Sequence, residues 1–384
     1  VKVKFILAYG RKNVAKQLEA FRNITTDWER EQTLPLNSSS PELNKLYNTW
    51  LPWQTVGCRM WAKSGFYQNG GAFGFRDQLQ DSMAAAYFLP KEAKRQILNC
   101  CNSQFAEGDV LHWWHRAGNL RYGVRTTCSD DLLWLPYTTA HYVKKTGDKD
   151  ILRLNVRYAE GEALNGAHEK YMEVKIGDAS ENVYMHCKKA LEKGFKKGDK
   201  GLIQIAGGDW NDGYNRVGAG GRGESVWLSM FYVLTVKEFA PIAREMHEDK
   251  YAEELEKRAA QLTCAITENG WENGYFLRAF YDDGTKMGGK DSECCKIDLL
   301  PQAFSVLADI PDEEKKKSAL SNAYRHLVSE QSGIIKLFSP PFSEDSPDDP
   351  GYVKSYPVGI RENGGQYTHA AVWFALALLK FGAK

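Results

Sequence analysis

The sequence has almost no net charge, because 50 Lys and Arg residues oppose 49 Asp and Glu residues and leave +1 over 384 positions. It therefore lacks the basic surface with which proteins bind nucleic acid or an anionic membrane. It also lacks an apolar run of membrane-spanning length, and its N-terminus lacks the apolar core of a signal peptide. We expect neither a nucleic acid nor a membrane as partner of this chain.

The eight cysteines form no CxxC spacing, and four of them stand in two adjacent pairs, Cys100–Cys101 and Cys294–Cys295. Adjacent cysteines fit disulfide geometry poorly, and the missing spacing argues against a zinc site. The cysteine pattern predicts no metal, no disulfide framework and a reducing, cytoplasmic location. The glycine-rich run at residues 218–223 lacks the Gly-Lys-Ser/Thr of a phosphate loop, which argues against a nucleotide site.

Aromatic residues are abundant, with 11 Trp and 19 Tyr, although the mean hydropathy is −0.50. This combination fits a polar cleft lined by rings. Residues 207–213, Gly-Gly-Asp-Trp-Asn-Asp-Gly, place two carboxylates and an indole on one glycine-flanked loop. Indole faces pack on the C–H faces of sugars, and a carboxylic acid can protonate a glycosidic oxygen. The segment indicates carbohydrate chemistry, and an ordinary polar loop with one anchoring Trp is the alternative.

Most of the chain has helical periodicity. Residues 1–7 alternate like a strand without a nearby partner, and we interpret residues 1–10 as the tail of a preceding β-domain. Residues 11–40 are predicted to be a helical linker, and Ser40-Pro41 begins a helix that continues to Trp61. The pattern predicts further helices at residues 81–88, 91–105, 129–145, 181–194, 224–246, 251–268, 298–309, 312–331 and 366–381. Without a fixed repeat, these helices favour an all-α ring of helical hairpins with the polar motifs collected at one end.

Two of the polar motifs stand immediately before or at helix starts. Residues 70–81 combine glycines with Arg76 and Asp77, a pair suited to sugar hydroxyls, although a helix cap by the acidic residues is the alternative. Residues 361–369 lead into the last helix. Backbone N–H groups at that helix start, together with His369, could bind an oxyanion. An ordinary surface or core His is the alternative there.

The third motif is His112-Trp113-Trp114-His115, whose two indoles are candidate sugar platforms. The two His residues have a spacing seen in metal sites, but no third ligand stands nearby in the sequence. Farther on, Asp130 and Asp131 follow a Ser immediately before an apolar helix. We interpret the two carboxylates as a helix cap and dipole partner rather than as functional groups.

In family order, the segments GFRDQLQD, HWWH, GGDWNDG and ENGGQYTHAAVW resemble the catalytic domain of the inverting glycoside phosphorylases of glycoside hydrolase family 94. The resemblance implies an (α/α)6 barrel over residues 41–384, whose last helices would follow the present C-terminus. It also implies a preceding β-sandwich domain, on the same or a separate chain, and a homodimer in the intact protein. Gly71 stands where cellobiose-type members carry an Arg, and the motif variants look most like 1,2-β-oligoglucan phosphorylases and cyclic β-1,2-glucan synthases.

The resemblance, with the motif chemistry above, assigns the site residues. Asp212 is the expected general acid, Arg59 and His369 are expected to bind phosphate, and the glucosyl unit is expected to contact Asp77, Arg76, Trp210 and Trp114. Phosphate replaces the activated water of an inverting hydrolase, so an anion pocket opposite the acid replaces the base. Inorganic phosphate is thus the expected co-substrate, a β-gluco-oligosaccharide the other substrate, and no cofactor is required.

A further expectation concerns the protonation of His369, and two alternative functions stay open. Because phosphate is dianionic, His369 is expected to work best when protonated. An inverting hydrolase or transglycosylase on the same barrel would need a second carboxylate, for which Glu362 is the candidate. A carbohydrate-binding domain without catalysis is the other alternative.

Overall fold

The computed structural model describes residues 35–65, 70–117 and 120–382. The first helical segment, α1, covers residues 41–61 and alternates α and π geometry, in the order Pro41–Lys45, Leu46–Trp50, Leu51–Trp53 and Gln54–Trp61. As predicted, Ser40 caps its start, where its hydroxyl accepts from the Leu43 N–H. The other helices are α2 Phe75–Ala85, α3 Pro90–Cys101, α4 Trp134–Thr146, α5 Val183–Gly194, α6 Val226–Glu245, α7 Asp249–Asn269, α8 Leu299–Leu307, α9 Glu313–Leu327 and α10 Thr368–Phe381.

The helices form an inner and an outer layer. The inner helices are α2, α4, α6, α8 and α10, and each packs against the next inner helix. The outer helices α3, α5, α7 and α9 each pack against the inner helix that precedes them in the chain. Aromatic side chains fill the centre of this ring. Trp134 lies 4.5 Å from Phe231 and stacks on Trp373 at 6.1 Å, while Phe304 meets Trp373 edge-on at 5.0 Å. The ring of helical hairpins is confirmed, with five pairs in the described residues.

By length and composition alone, α6 could cross a membrane, contrary to our expectation that no segment would. It stands in the middle of the inner layer, and most of its side chains are buried within the protein. An apolar helix that is buried on most sides is typical of the core of a large ring.

The prediction of an all-α fold is wrong in one region. An antiparallel five-stranded sheet has the order β1-β2-β3-β5-β4, where the strands are β1 Phe73–Gly74, β2 Leu111–Ala117, β3 Leu120–Thr126, β4 Asn155–Glu160 and β5 Glu169–Asn182. Buried and exposed residues alternate along β5, which covers the helices with one face. The HWWH motif therefore lies on a strand and not on a loop.

Short strands and turns connect the helices at the rim. The short strands are Ile203–Gln204, Glu224–Ser225, Trp271–Glu272, Tyr275–Phe276, Ala279–Phe280, Lys286–Met287, Ile297–Asp298, Val328–Ser329, Ile334–Ile335 and Phe338–Ser339, and the 3-10 turns are Asp131–Leu133, Lys149–Arg153, Asp212–Tyr214 and Tyr352–Ser355. The predicted strand at residues 1–10 and most of the predicted linker at 11–40 lie outside the described residues. Residues 35–40 have no regular secondary structure.

Candidate functional site

A cavity of about 510 Å³ opens at the rim where the inner helices begin. Helix N-termini carry partial positive charge, which favours an anion at this end of the ring. The cavity brings together six of the seven predicted site residues, and it is lined by Arg59, Gly65, Arg76, Asp77, Gln80, Trp210, Asp212, Arg361, Glu362, Gln366, Tyr367, Thr368 and His369. Trp114 is the predicted residue that this lining does not include.

The two carboxylates of the 207–213 loop have different tasks. Asp209 is fully buried and accepts two hydrogen bonds from Arg278, at 2.7 and 2.5 Å, and a third from the Ser225 hydroxyl at 2.8 Å. Arg278 is also fully buried and reaches Asp298 at 3.3 Å. Because Ser225 and Asp298 cap α6 and α8, Asp209 fixes the loop to the inner ring. Asp212, three residues later, is the carboxylate that faces the cavity.

Two cationic side chains contact the Asp212 carboxylate. Nη2 of Arg76 donates to its Oδ1 over 2.7 Å, and Nε2 of His112 lies 3.7 Å from its Oδ2. Burial alone would raise the pKa of Asp212, but the charges of Arg76 and His112 outweigh this effect and lower the pKa to about 2. Asp212 is therefore a carboxylate at neutral pH.

Asp130 and Asp131 do not cap the following helix, so our interpretation of these residues is wrong. Asp130 accepts from Nη1 of Arg76 at 3.1 Å and from Nε1 of Trp134 at 3.0 Å. Asp131 lies 2.7 Å from Nδ1 of His112. These partners are 54, 4 and 19 residues away in sequence. Asp130 and Asp131 thus orient Arg76 and His112, the two cationic groups that contact Asp212.

Arg59 reaches the cavity from α1 and pairs with two carboxylates of α2. Its guanidinium lies 3.5 Å from Asp77 and 3.2 Å from Asp81. Burial raises the pKa of Asp81 to about 7, although Arg59 opposes this shift. The Asp77 side chain folds back over Gly74, where an added Cβ would come within 2.1 Å of its Oδ2. Gly74 thus leaves room for the Asp77 carboxylate at the cavity wall.

The surroundings of His369 favour the neutral imidazole over the protonated form that the charge of phosphate led us to expect. Burial, with the positive charges of Arg76 and Arg59, lowers its pKa to about 3. Nε1 of Trp210 lies 3.1 Å from Nδ1 of His369. An indole N–H only donates, so Nδ1 must accept and Nε2 must carry the hydrogen. His369 therefore offers a neutral N–H donor.

Trp114 cannot serve as a sugar platform in this structure. Its side chain is fully buried, and Phe73 stacks on its ring at 5.5 Å. Trp113 is partly exposed and lies 5.8 Å from the rings of both His115 and Tyr171. Successive side chains of a strand point to opposite faces, so the two adjacent indoles are separated. The sequence pattern had suggested that both are sugar platforms.

One group of side chains has the donor atoms of a metal site: His112, Cys128 and Asp131 place one such atom each within 4.8 Å of one another. The chemistry of this set favours an ion pair instead. Asp131 is already engaged by the imidazole. Burial and the nearby carboxylates raise the pKa of the Cys128 thiol well above its usual value, so it stays protonated and is a poor ligand.

Sequence reasoning missed that His112 joins Asp212. The signal that could have found it is the pattern of two short segments, residues 111–117 and 120–126, separated by the dipeptide Gly-Asn, which in a sequence is typical of a hairpin. It also missed Tyr367, whose hydroxyl donates to Glu362 over 3.0 Å at the cavity wall.

Comparison with known proteins assigns the chain to a family. The model of the glycosyl hydrolase 94 superfamily catalytic domain matches residues 28–384. The chain is 44% identical over 336 residues to the cyclic beta-(1,2)-glucan synthase NdvB of Rhizobium meliloti (strain 1021), a match that covers 87% of this chain and 12% of that protein. It is 30% identical over 340 residues to solabiose phosphorylase of Paenibacillus borealis, with 88% of this chain and 40% of the relative covered.

The chain thus spans less than half the length of these two relatives. Among solved structures, a rhamnosidase from Klebsiella oxytoca with rhamnose bound matches at a TM-score of 0.58 and 12% identity, over 91% of this chain and 54% of that one. That likeness concerns the fold alone. The chain therefore belongs to the glycosyl hydrolase 94 superfamily, because the catalytic domain of that family matches residues 28–384.

Proposed function

We propose that this chain is the catalytic domain of an inverting phosphorylase that cleaves β-linked gluco-oligosaccharides, preferably β-1,2-linked, with inorganic phosphate to α-glucose 1-phosphate. The observation that carries the proposal is the shared cavity. Asp212 lies on its wall together with Arg59 and His369, so the proposed proton donor and the proposed anion-binding pair border one space. The 44% identity to a β-1,2-glucan synthase and the 30% identity to a phosphorylase support the linkage and the reaction.

In the proposed reaction the glucosyl unit lies against Trp210 and is held by Asp77. Arg59 and the Nε2–H of neutral His369 hold phosphate, whose oxygen attacks the anomeric carbon. Asp212 gives a proton to the departing glycosidic oxygen on the opposite face. Phosphate is already an anion at neutral pH, so this reaction needs N–H donors at the nucleophile and not a base.

The test is to incubate the protein with β-1,2-, β-1,3- and β-1,4-linked gluco-oligosaccharides, each with and without phosphate, and to measure α-glucose 1-phosphate. We expect product only with phosphate and fastest with the β-1,2 series. Asp212→Asn should lower the rate at least 100-fold and leave the circular dichroism spectrum unchanged. Turnover of Asp212→Asn within roughly tenfold of the wild type would exclude Asp212 as the acid.

A second candidate is an inverting hydrolase, for which Glu362 would be the base. Glu362 lines the same cavity and accepts from Tyr367 at 3.0 Å and from Arg361 at 3.1 Å. This reaction predicts free glucose without phosphate and its loss in Glu362→Gln. The cytoplasmic location, the homodimer and the separate or preceding β-sandwich stay predictions.

A further inference from the structure

His112 stands at an irregularity of strand β2. Leu111 pairs with Arg125 and Trp113 pairs with Val124. A step of two residues on β2 therefore matches a step of one residue on β3, and the register shifts at His112. Such a bulge leaves one residue out of the ladder and turns its side chain. The sheet thereby reaches the rim of the helical ring, where the His112 side chain lies beside Asp212.

The imidazole lies between two carboxylates. Nδ1 is 2.7 Å from Oδ2 of Asp131, which is 1% exposed, and Nε2 is 3.7 Å from Oδ2 of Asp212. Burial lowers the pKa of His112, but Asp131 and Asp212 raise it well above its usual value. The ring is therefore an imidazolium at neutral pH, and its Nε2–H faces the proposed acid.

Other charged and titratable groups also surround Asp212. Arg76 contacts Oδ1 from α2, and the protonated Cys128 Sγ lies 3.9 Å from the same oxygen. Tyr352 and Tyr356 lie in the segment before α10, where burial raises the pKa of both hydroxyls and the charge of Asp212 adds to the effect. The tyrosines and the thiol are thus neutral near pH 7, and Arg76 does not release its proton. Among these groups, His112 is the one that holds a transferable proton at neutral pH.

The proposed acid itself is ionised at neutral pH, because Arg76 and His112 contact its carboxylate, so it must gain a proton before it can act. We propose that His112, oriented by Asp131, is the positioning residue that supplies this proton to Asp212. This inference rests on the proposed function, because it explains how the same carboxylate becomes an acid.

The proton balance closes over one catalytic cycle. A proton moves from Nε2 of His112 to Oδ2 of Asp212, and then to the glycosidic oxygen, which keeps the electron pair of the breaking bond to the anomeric carbon. An oxygen of hydrogen phosphate forms the new bond to that carbon. The sugar phosphate leaves as a dianion and releases to solvent the proton that hydrogen phosphate brought in, and neutral His112 takes up one proton from solvent.

The kinetic test compares His112→Gln with the wild type between pH 5 and pH 9. Gln keeps a hydrogen-bonding group beside Asp131 but carries no transferable proton. We expect kcat to fall roughly 100-fold at pH 7 with both KM values within about threefold, and the alkaline limb to move to lower pH. The ionisation of phosphate is common to both proteins and cancels in their ratio. His115→Gln, in the same strand, is the matched control and should keep the wild-type profile.

A second measurement does not depend on turnover. In ¹⁵N-histidine NMR, the resonance that disappears in His112→Gln should report an imidazolium up to at least pH 8, and it should become neutral at lower pH in Asp131→Asn. An active wild type whose alkaline limb is unchanged in His112→Gln would overturn the inference, and so would a neutral His112 at pH 7. Absence of glucose 1-phosphate from the wild type would instead overturn the proposed function, and the NMR result would still decide whether His112 holds the proton.

Discussion

The indole of Trp210 donates its Nε1–H to Nδ1 of His369 over 3.1 Å. This contact fixes the imidazole tautomer and turns Nε2–H toward the cavity. Trp210→Phe keeps an aromatic wall but removes the donor, so we expect the KM for phosphate to rise roughly threefold to tenfold, the equivalent of one hydrogen bond. Steady-state kinetics with phosphate varied would measure this.

Trp373→Phe is the control for that variant. Trp373 also contacts the His369 ring, at 3.9 Å between centroids, but the Nδ1 acceptor already has its partner. An equal increase in the two variants would mean that ring packing, and not the hydrogen bond, orients His369.

Arg59→Ala should raise the KM for phosphate roughly tenfold to 100-fold, because a charge-assisted contact to the anion is lost. The KM for the oligosaccharide should change much less. The fold should tolerate the change, because Asp81, left without its partner, can remain protonated at a pKa already raised to about 7. Arg216→Ala removes an exposed Arg that pairs with Asp349 and should leave both constants unchanged. A larger effect on the sugar than on phosphate would contradict the assignment.

Gly74→Ala tests the position of Asp77. The added methyl would lie 2.1 Å from Oδ2 of Asp77, so the carboxylate must rotate away. We expect kcat/KM for the oligosaccharide to fall roughly tenfold or more, with circular dichroism unchanged. Gly70→Ala places its methyl where no atom lies within 4 Å, and it should behave like the wild type. If both variants are fully active, Asp77 does not bind the sugar.

Asp209→Asn and Asp212→Asn should separate stability from catalysis. Asp209→Asn removes the negative charge that pairs with the fully buried Arg278, so it should lower the free energy of unfolding by about 3 kcal/mol. Asp212→Asn leaves Arg76 paired with Asp130 and should cost much less. Urea unfolding of the two variants and the wild type measures the difference. Equal destabilisation would show that Asp212 also holds the loop.

The sequence was sufficient to predict the helices, because their apolar faces repeat with helical spacing over long stretches. Helix α7 at Asp249–Asn269 was expected at 251–268, and α5 at Val183–Gly194 was expected at 181–194. The sheet was missed because its strands lie between strongly helical segments, although Met172 and Val174 alternate with exposed neighbours as in a half-buried strand.

The site was predictable where a motif presents its side chains directly to the cavity, as for Asp212 and His369. It was not predictable where distant partners decide. A Ser-Asp-Asp before a helix predicts a cap locally, but Arg76 lies 54 residues from Asp130 and recruits that carboxylate. Trp114 failed for a similar reason, since the fold places Phe73 against its face. Neither contact leaves a trace in the local pattern.

The Arg278 anchor has a consequence for how enzymes with this architecture diversify. The Arg278 guanidinium connects the 207–213 loop to the starts of two inner helices. A shift of that loop would therefore leave the buried positive charge of Arg278 without its Asp209 partner. Natural variation in the sugar accepted should therefore accumulate away from that loop, at exposed positions such as Val358 and Ile360, which are 60 and 50% exposed. Exchange of residues 356–360 between relatives would then change acceptor preference while the residues of the reaction stay in place.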